Sequence, residues 1–115
     1  MTSLDLSANP SLTSDSVQLI LQRCPRLSSL RLESFSGAVL QLSSGSLTEL
    51  SLASSSKLFD LKLDMPLLSA LDLSGCTALR SLEAAACAKL HDVKLRGCQR
   101  VVERILHSKH KDKNL

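Results

Sequence analysis

The chain is almost without aromatic residues, with two Phe, no Tyr and no Trp among its 115 residues. Hydrophobic residues nevertheless make up 43% of the chain and charged residues 22%, which predicts an aliphatic core and argues against disorder. A chain of 115 residues allows one domain at most. It contains no apolar run of about 18 residues, the length of a membrane span. The N-terminus, MTSLDLSANP, lacks the basic start and apolar segment of a signal peptide. We therefore expect no membrane association and a cytoplasmic or nuclear location.

Motifs that carry catalysis or hold cofactors are also missing from the sequence. No Gly-x-Ser-x-Gly elbow, phosphate-binding loop or dinucleotide fingerprint occurs. The four cysteines form no Cys-x-x-Cys pair, and the three histidines have no further ligand at a metal-binding spacing. The sequence therefore predicts a non-enzymatic protein without a cofactor or a metal.

Positive charge is concentrated towards the C-terminus. Residues 89–115 hold eight Lys or Arg against three Asp or Glu, a net charge of +5, whereas the whole chain carries +3. A basic segment can attract nucleic acid, but no aromatic residues alternate with these charges as single-strand binding requires. We favour a solvated end of the chain, with nucleic-acid association as the weaker alternative.

What the sequence does contain is a leucine repeat, Leu-x-x-Leu-x-Leu. The last members of its Leu-x-Leu pairs are Leu6, Leu32, Leu42, Leu52, Leu63, Leu73, Ala84 and Leu95. After Leu32 they follow one another at steps of 10 or 11 residues, about half of a leucine-rich repeat of about 20–29 residues. Each coil therefore carries two short parallel strands on opposite sides, with the leucines pointing inward because side chains alternate along a strand. The Ser/Gly-rich segment SFSGAVLQLSSGS keeps Leu40 and Leu42 in phase, so we interpret it as a coil rather than a linker.

The two ends of the repeat are expected to differ. The first coil is longer, with 26 residues from Leu6 to Leu32, and the surplus predicts a helix around residues 16–23 in place of the second strand. Ser14 or Asp15 is the expected N-cap, and Pro25 ends the helix. Residues 99–108, QRVVERILHS, predict a second helix that caps the last coil. The edge at Leu4 and Leu6 has no cap, which predicts a truncated chain or self-association there.

The expected fold is thus an α/β solenoid over residues 1–108, followed by a basic tail over residues 109–115. It is a right-handed coil with mostly short parallel strands on two sides, one internal helix and a C-terminal capping helix.

The segment LDLSANPSLTSDSVQLILQRCPRLSSLRLE resembles the cysteine-containing leucine-rich repeat of F-box/LRR proteins, and the later coils resemble those of some plant and algal members. The residues that match are Leu4, Leu6, Asn9, Leu12, Thr13, Val17, Cys24, Pro25 and Leu27. The F-box, a helical segment that docks a cullin-ligase adaptor, has no counterpart in the chain. The resemblance implies the part of such a receptor that recognises a substrate for ubiquitination. A standalone structural protein that self-associates through its uncapped N-terminal edge is the alternative.

One residue in each coil is expected at the same corner, three positions after the last Leu-x-Leu leucine of the first sheet. These corner residues are Asn9, Phe35, Ser55, Cys76 and Cys98. Their expected role is to satisfy backbone groups of the turns, while Cys87 belongs to the opposite corner. Cys76 and Cys98 are near enough for a disulfide, but the expected location favours buried thiols.

Solenoids bind partners through an exposed sheet face, and we expect a protein partner of unknown identity there. The candidate partner-binding residues are Asp5, Arg31, Glu49, Asp72, Asp92, Lys94 and Arg96. The alternative is that these charges neutralise one another across coils, as Arg31 with Glu49 or Asp92 with Lys94. Such exposed pairs contribute at most about 1 kcal/mol each.

Overall fold

The computed structural model describes residues 2–98, which form a parallel-strand β-solenoid with one helix. The elements are β1 (Ser3–Asp5), α1 (Ser14–Arg23), β2 (Ser29–Arg31), β3 (Val39–Ser43), β4 (Glu49–Ser51), β5 (Asp60–Asp64), β6 (Ala70–Asp72), β7 (Ser81–Glu83) and β8 (Asp92–Lys94). Three complete coils carry two strands each, from β2 to β7. The predicted capping helix at 99–108 and the basic tail at 109–115 lie outside the described residues.

Two parallel sheets form opposite sides of the solenoid. The larger sheet has the order β1-β2-β4-β6-β8, and the smaller sheet has the order β3-β5-β7. All four strand pairs of the larger sheet share one register, in which Leu30 lies beside Leu4 and Leu50, and Leu71 lies beside Leu50 and Val93. The predicted two-strand coil is confirmed, including the Ser/Gly-rich segment, which contains β3.

The core lies between the two sheets and is made of leucine ladders. Leu30, Leu50 and Leu71 of the larger sheet are at most 2% exposed, as are Leu40 and Leu61 of the smaller sheet. Burying a leucine side chain fully stabilises a fold by roughly 1.5–3 kcal/mol. These ladders therefore supply most of the driving force, and Phe35 is the one aromatic side chain that residues 2–98 bury in the core.

Helix α1 takes the place of a second strand in the first coil, as predicted, but its N-cap is Thr13. The Thr13 hydroxyl accepts a hydrogen bond from the Ser16 N–H at 3.2 Å. The expected cap Ser14 has another partner, since its hydroxyl bonds the backbone of Gln41 in β3. Val17 and Leu21 bury one side of the helix against the core, while Leu19 is 49% exposed.

Side chains of α1 also close the edge of the smaller sheet. The Ser14 hydroxyl accepts from the Gln41 N–H at 3.0 Å and donates to the Gln41 carbonyl at 3.2 Å. One turn later, Gln18 accepts from the Ser43 N–H at 2.8 Å and donates to the Ser43 carbonyl at 3.1 Å. Two helical side chains thus satisfy the groups that a neighbouring strand would otherwise pair.

A ladder of hydroxyl groups runs beside the larger sheet, just before its strands. The hydroxyl of Ser28 donates to the Thr2 carbonyl at 3.0 Å, and that of Thr48 to the Ser28 carbonyl at 3.0 Å. Ser69 repeats the contact with the Thr48 carbonyl at 3.1 Å. Each of these carbonyls also accepts two backbone N–H groups from the following coil. The ladder fixes how each coil sits on the preceding one.

Each coil turns its first corner through one residue with left-handed backbone. These residues are Ala8, Ser34, Ser54, Gly75 and Gly97, with φ between 58° and 85°. Their N–H groups join successive coils, as when Ser54 donates to the Ser74 carbonyl at 2.7 Å and Gly75 to the Arg96 carbonyl at 2.8 Å. The left-handed turn is therefore a repeated part of the coil and not an accident of one loop.

Candidate functional site

Four of the five corner residues, namely Asn9, Ser55, Cys76 and Cys98, bond backbone groups with their side chains, whereas Phe35 packs in the core. The hydroxyl of Ser55, which is fully buried, accepts a hydrogen bond from the Phe35 N–H at 3.0 Å. The Cys76 thiol donates to the Leu52 carbonyl at 3.2 Å, and the Cys98 thiol donates to the Leu73 carbonyl at 2.7 Å. Cys87 makes the same kind of contact at the opposite corner, with the Leu63 carbonyl at 3.8 Å.

The thiols at these corners are poor nucleophiles. All four cysteines are free, and Cys76, Cys87 and Cys98 are buried. Burial raises the pKa of Cys76 to about 11, and burial likewise raises the pKa values of Cys87 and Cys98. Because the thiolate is the reactive form, these side chains fill and tie the corners instead of forming a reactive site.

The candidate partner-binding residues lie on the outward face of the larger sheet, which we call the charged face. It comprises the outward side chains of β1, β2, β4, β6 and β8 and the outward side chain two positions after the end of each strand. A shallow groove of about 440 Å³ crosses this face. Small side chains form part of its lining, namely Ser29, Ser51 and Ala70. Five of the seven candidates line it: Arg31, Glu49, Asp72, Asp92 and Lys94.

The other two candidates lie beside the groove. Asp5 is on β1, at the first edge of the sheet, and Arg96 follows β8 at the last edge. Neither residue lines the groove. The structure therefore brings most of the predicted residues together and leaves one at each end.

The expected neutralisation of Arg31 by Glu49, and of Asp92 by Lys94, is wrong. Arg31 pairs instead with Glu33 at 3.1 Å, and Glu33 also accepts the Ser51 hydroxyl at 3.0 Å. Arg31 and Glu33 stand two residues apart on the same face, so the guanidinium reaches the carboxylate along its own chain. Asp92 and Lys94 do not approach within 4.0 Å of each other, and each stays exposed. An exposed pair gains too little to hold two long side chains together.

Two of the predicted aspartates have a structural role in addition. The Asp5 carboxylate accepts the Ser7 N–H at 3.0 Å, and the Asp72 carboxylate accepts the Ser74 N–H at 2.9 Å. Each closes a local turn at the end of its strand. Hydrogen bonds from the Ser7 hydroxyl and amide hold the pKa of Asp5 below its ordinary value.

The smaller sheet exposes an apolar spot that the leucine repeat did not predict. Val39 is 57% exposed and Phe59 is 45% exposed, and the Arg80 guanidinium lies over the Phe59 ring at 5.6 Å from its centre. The signal was available in the sequence, because the inward positions of this Leu-x-x-Leu-x-Leu unit are Leu58, Leu61 and Leu63, and Phe59 is not among them. The ion pair on this side, Lys62 with Glu83 at 4.0 Å, is solvent-exposed.

Residues 2–98 bring together no group of three or more His, Cys, Asp or Glu side chains that could hold a metal ion. The same stretch contains no helix with the length and apolar character needed to cross a membrane. Comparisons of the chain with models of protein families, with curated proteins and with solved structures found no match.

Proposed function

We propose that this chain is a non-catalytic protein-interaction module whose protein partner binds the charged face. The observation that carries this proposal is the groove, whose lining combines small side chains with charged ones. Of the six charged residues that line it, only Arg31 and Glu33 form an ion pair, with each other, within residues 2–98. Exposed charges that are not neutralised by their own neighbours remain available to select a partner with complementary charges.

The chemistry of the other side chains supports a binding role over a catalytic one. The buried thiols donate to backbone carbonyls, and their raised pKa values keep them protonated at neutral pH. The carboxylates of Asp5 and Asp72 accept backbone amides at strand ends. These thiols and carboxylates are thus used to build the coil.

The finer part of the proposal is that the repeat is a right-handed leucine-rich repeat of the cysteine-containing F-box/LRR type. Its support is the order of features in the first coil, with strand β1, a corner at Asn9, helix α1, and then Cys24-Pro25 before strand β2. On this proposal the charged face corresponds to the substrate-recognition part of such a receptor, and the partner is a protein marked for ubiquitination.

Site-specific photo-crosslinking tests the binding face. A photo-reactive residue in place of Ser51, which lines the groove, is expected to crosslink a protein partner in cell extract. The same residue in place of Lys62, on the outward face of the smaller sheet, is the matched control. A protein that crosslinks equally from both positions contradicts the proposal.

The triple variant Asp72→Asn/Lys94→Ala/Arg96→Ala is expected to abolish crosslinking from position 51 while retaining the thermal unfolding transition, because the side-chain oxygen of the asparagine at position 72 can still accept the Ser74 N–H. Persistence of the crosslink in this variant would show that the face charges do not select the partner. The proposed role in ubiquitination is tested by measuring the ubiquitin carried by the captured protein, and the abundance of that protein, after deletion of the gene for this chain. We expect less ubiquitin and a higher abundance. Unchanged ubiquitination refutes that part alone.

A further inference from the structure

Strand β1 is the outermost strand of the larger sheet as residues 2–98 define it, and its outer edge is treated differently from that of β3. Helix α1 covers the edge of β3 with hydrogen bonds from Ser14 and Gln18. Strand β1 pairs with β2 alone, and no group within residues 2–98 bonds the outward backbone of Ser3 or Asp5. An unpaired strand edge is a template for another strand.

The direction of the backbone groups on β1 follows from its bonds to the neighbouring coil. The Thr2 carbonyl accepts the Ser29 N–H at 3.0 Å, and the Leu6 N–H donates to the Arg31 carbonyl at 2.8 Å. The even-numbered residues therefore face β2, and the odd-numbered ones face away, because these directions alternate along a strand. The Ser7 N–H is already taken by the Asp5 carboxylate. Ser3 and Asp5 are left with N–H and C=O groups that point outward.

We propose that a second copy of this chain pairs antiparallel with β1, about a twofold axis at Leu4. In this register Ser3 lies opposite the partner's Asp5, and Asp5 lies opposite the partner's Ser3. Each chain contributes two outward N–H groups and two outward C=O groups, and these form four hydrogen bonds across the axis. The two larger sheets then join into one continuous sheet of ten strands.

Other twofold registers either leave outward backbone groups without a partner or place like charges opposite each other. An axis at Asp5 places that carboxylate opposite the partner's Asp5, and like charges directly opposite one another are destabilising. An axis at Ser3 leaves the outward groups of Asp5 beyond the described part of the partner strand. The Leu4 register is therefore the one that uses every outward group and opposes no like charges.

Burial and the composition of the edge favour the same arrangement. Leu4 is only partly buried, whereas Leu30 beside it is 1% exposed. In the Leu4 register the two Leu4 residues meet across the axis, where the Cα atoms of such a pair are about 4.5 Å apart. Natural sheet edges are often blocked by Lys, Pro or a bulge. The β1 sequence Ser-Leu-Asp contains neither Lys nor Pro.

This interface goes beyond the function proposed above, and the dimer can be tested without any other protein. It leaves the groove of the charged face uncovered, so a dimer presents two grooves on one continuous sheet. Two linked sites can raise the apparent affinity for a partner with two matching surfaces.

Sedimentation equilibrium of the full 115-residue chain tests the interface. We expect a monomer–dimer equilibrium whose dissociation constant responds in opposite directions to two substitutions at one position. Ser3→Lys places a cation opposite the partner's Asp5 twice in each dimer, and Ser3→Asp places an anion there. From cross-strand pair energies, each change shifts the dissociation constant by about 2- to 30-fold, tighter for Ser3→Lys and weaker for Ser3→Asp.

Ser56→Lys and Ser56→Asp are the matched controls, since Ser56 is exposed in a corner away from β1. They make the same changes of net charge and are expected to leave the dissociation constant unaltered. A chain that stays monomeric at every concentration overturns the proposal. So does a constant that moves in the same direction for both Ser3 variants, or one that follows net charge at Ser56 as well.

The register has a second test that does not depend on the charge variants. Ser3→Cys protein mixed with Asp5→Cys protein is expected to form a disulfide-linked dimer under mild oxidation, because these positions lie opposite each other. Each single variant alone is expected to crosslink far less. Equal crosslinking of Asp5→Cys with itself would overturn the Leu4 register.

Discussion

Ser54 and Gly75 occupy the left-handed corners of two successive coils, but only Gly75 lacks the Cβ that makes this backbone conformation costly. Ser54 has φ of 62° and Gly75 has φ of 78°, and they occupy equivalent positions in successive coils. A non-glycine residue in left-handed backbone costs roughly 1–2 kcal/mol, whereas restricting the unfolded chain by replacing Gly with Ala gains about 0.4–1 kcal/mol. A Cβ at Gly75 would also lie 3.3 Å from the Ser54 Cα. The strain less the entropic gain, with the close contact added, predicts that Gly75→Ala lowers the free energy of unfolding by up to about 2 kcal/mol.

The assay is urea unfolding followed by circular dichroism, with Gly45→Ala as the matched control. A Cβ at Gly45 would meet no atom within 4 Å, and the φ of Gly45 is not positive. Gly45→Ala is therefore expected to raise the free energy of unfolding by about 0.4–1 kcal/mol. The reverse change, Ser54→Gly, is expected to stabilise by up to about 1 kcal/mol, because it relieves the strain that Gly75 avoids. Equal effects of Gly75→Ala and Gly45→Ala would refute the reasoning.

Three further predictions follow from the corners and the capped edge. Because burial raises the pKa of Cys76 to about 11, against an ordinary value of 9.0, the protonated thiol stabilises the fold fully below pH 9. That contribution, about 2–3 kcal/mol at about 1.4 kcal/mol for each pKa unit, is lost as pH rises through about 11. Cys76→Ser should reduce this alkaline loss in pH-dependent urea titrations, and an unchanged pH profile would contradict the assignment. Gly37→Ala should destabilise by about 1–3 kcal/mol by overpacking, since its Cβ would lie 2.7 Å from the ring of buried Phe35. Adding Phe35→Leu should reduce the penalty of Gly37→Ala in a double-mutant cycle, and additive effects would exclude the clash. Finally, Gln18→Ala should speed amide hydrogen exchange at Ser43 and leave exchange at Ser51 unchanged, because only the first N–H is held by Gln18. Equal exchange at both amides would show that Gln18 does not protect the edge.

The leucine positions were predictable because a strand alternates and the coil repeats. Leu30, Leu50 and Leu71 share a register and a burial state that the 10- or 11-residue steps already imply. The replacement of a strand by α1 was predictable from the longer first coil. Its cap was not, because Ser14 and Thr13 are both good caps, and only the contact with Gln41 decides between them.

The left-handed corner and the pairing of charges were less accessible to sequence reasoning. Only Gly75 and Gly97 indicate a left-handed corner by their residue type, while Ala8, Ser34 and Ser54 adopt this conformation without a sequence signal. The choice of Glu33 over Glu49 by Arg31 depends on side-chain conformation, which spacing along the chain does not fix. Spacing along the chain therefore placed the candidate residues on one face of the sheet, whereas it could not give their mutual interactions, which depend on side-chain conformation.

The measurement that tests the central claim most directly is the affinity of the captured partner for two charge-reversed variants. Glu49→Lys/Asp92→Lys reverses two exposed carboxylates on the groove, and Asp64→Lys/Glu83→Lys makes the same change of charge on the smaller sheet. A partner that binds the charged face is predicted to lose at least about tenfold in affinity, equivalent to about 1.4 kcal/mol, with the first variant only. Equal losses with both variants, or a loss with the second alone, would contradict the assignment of the binding face.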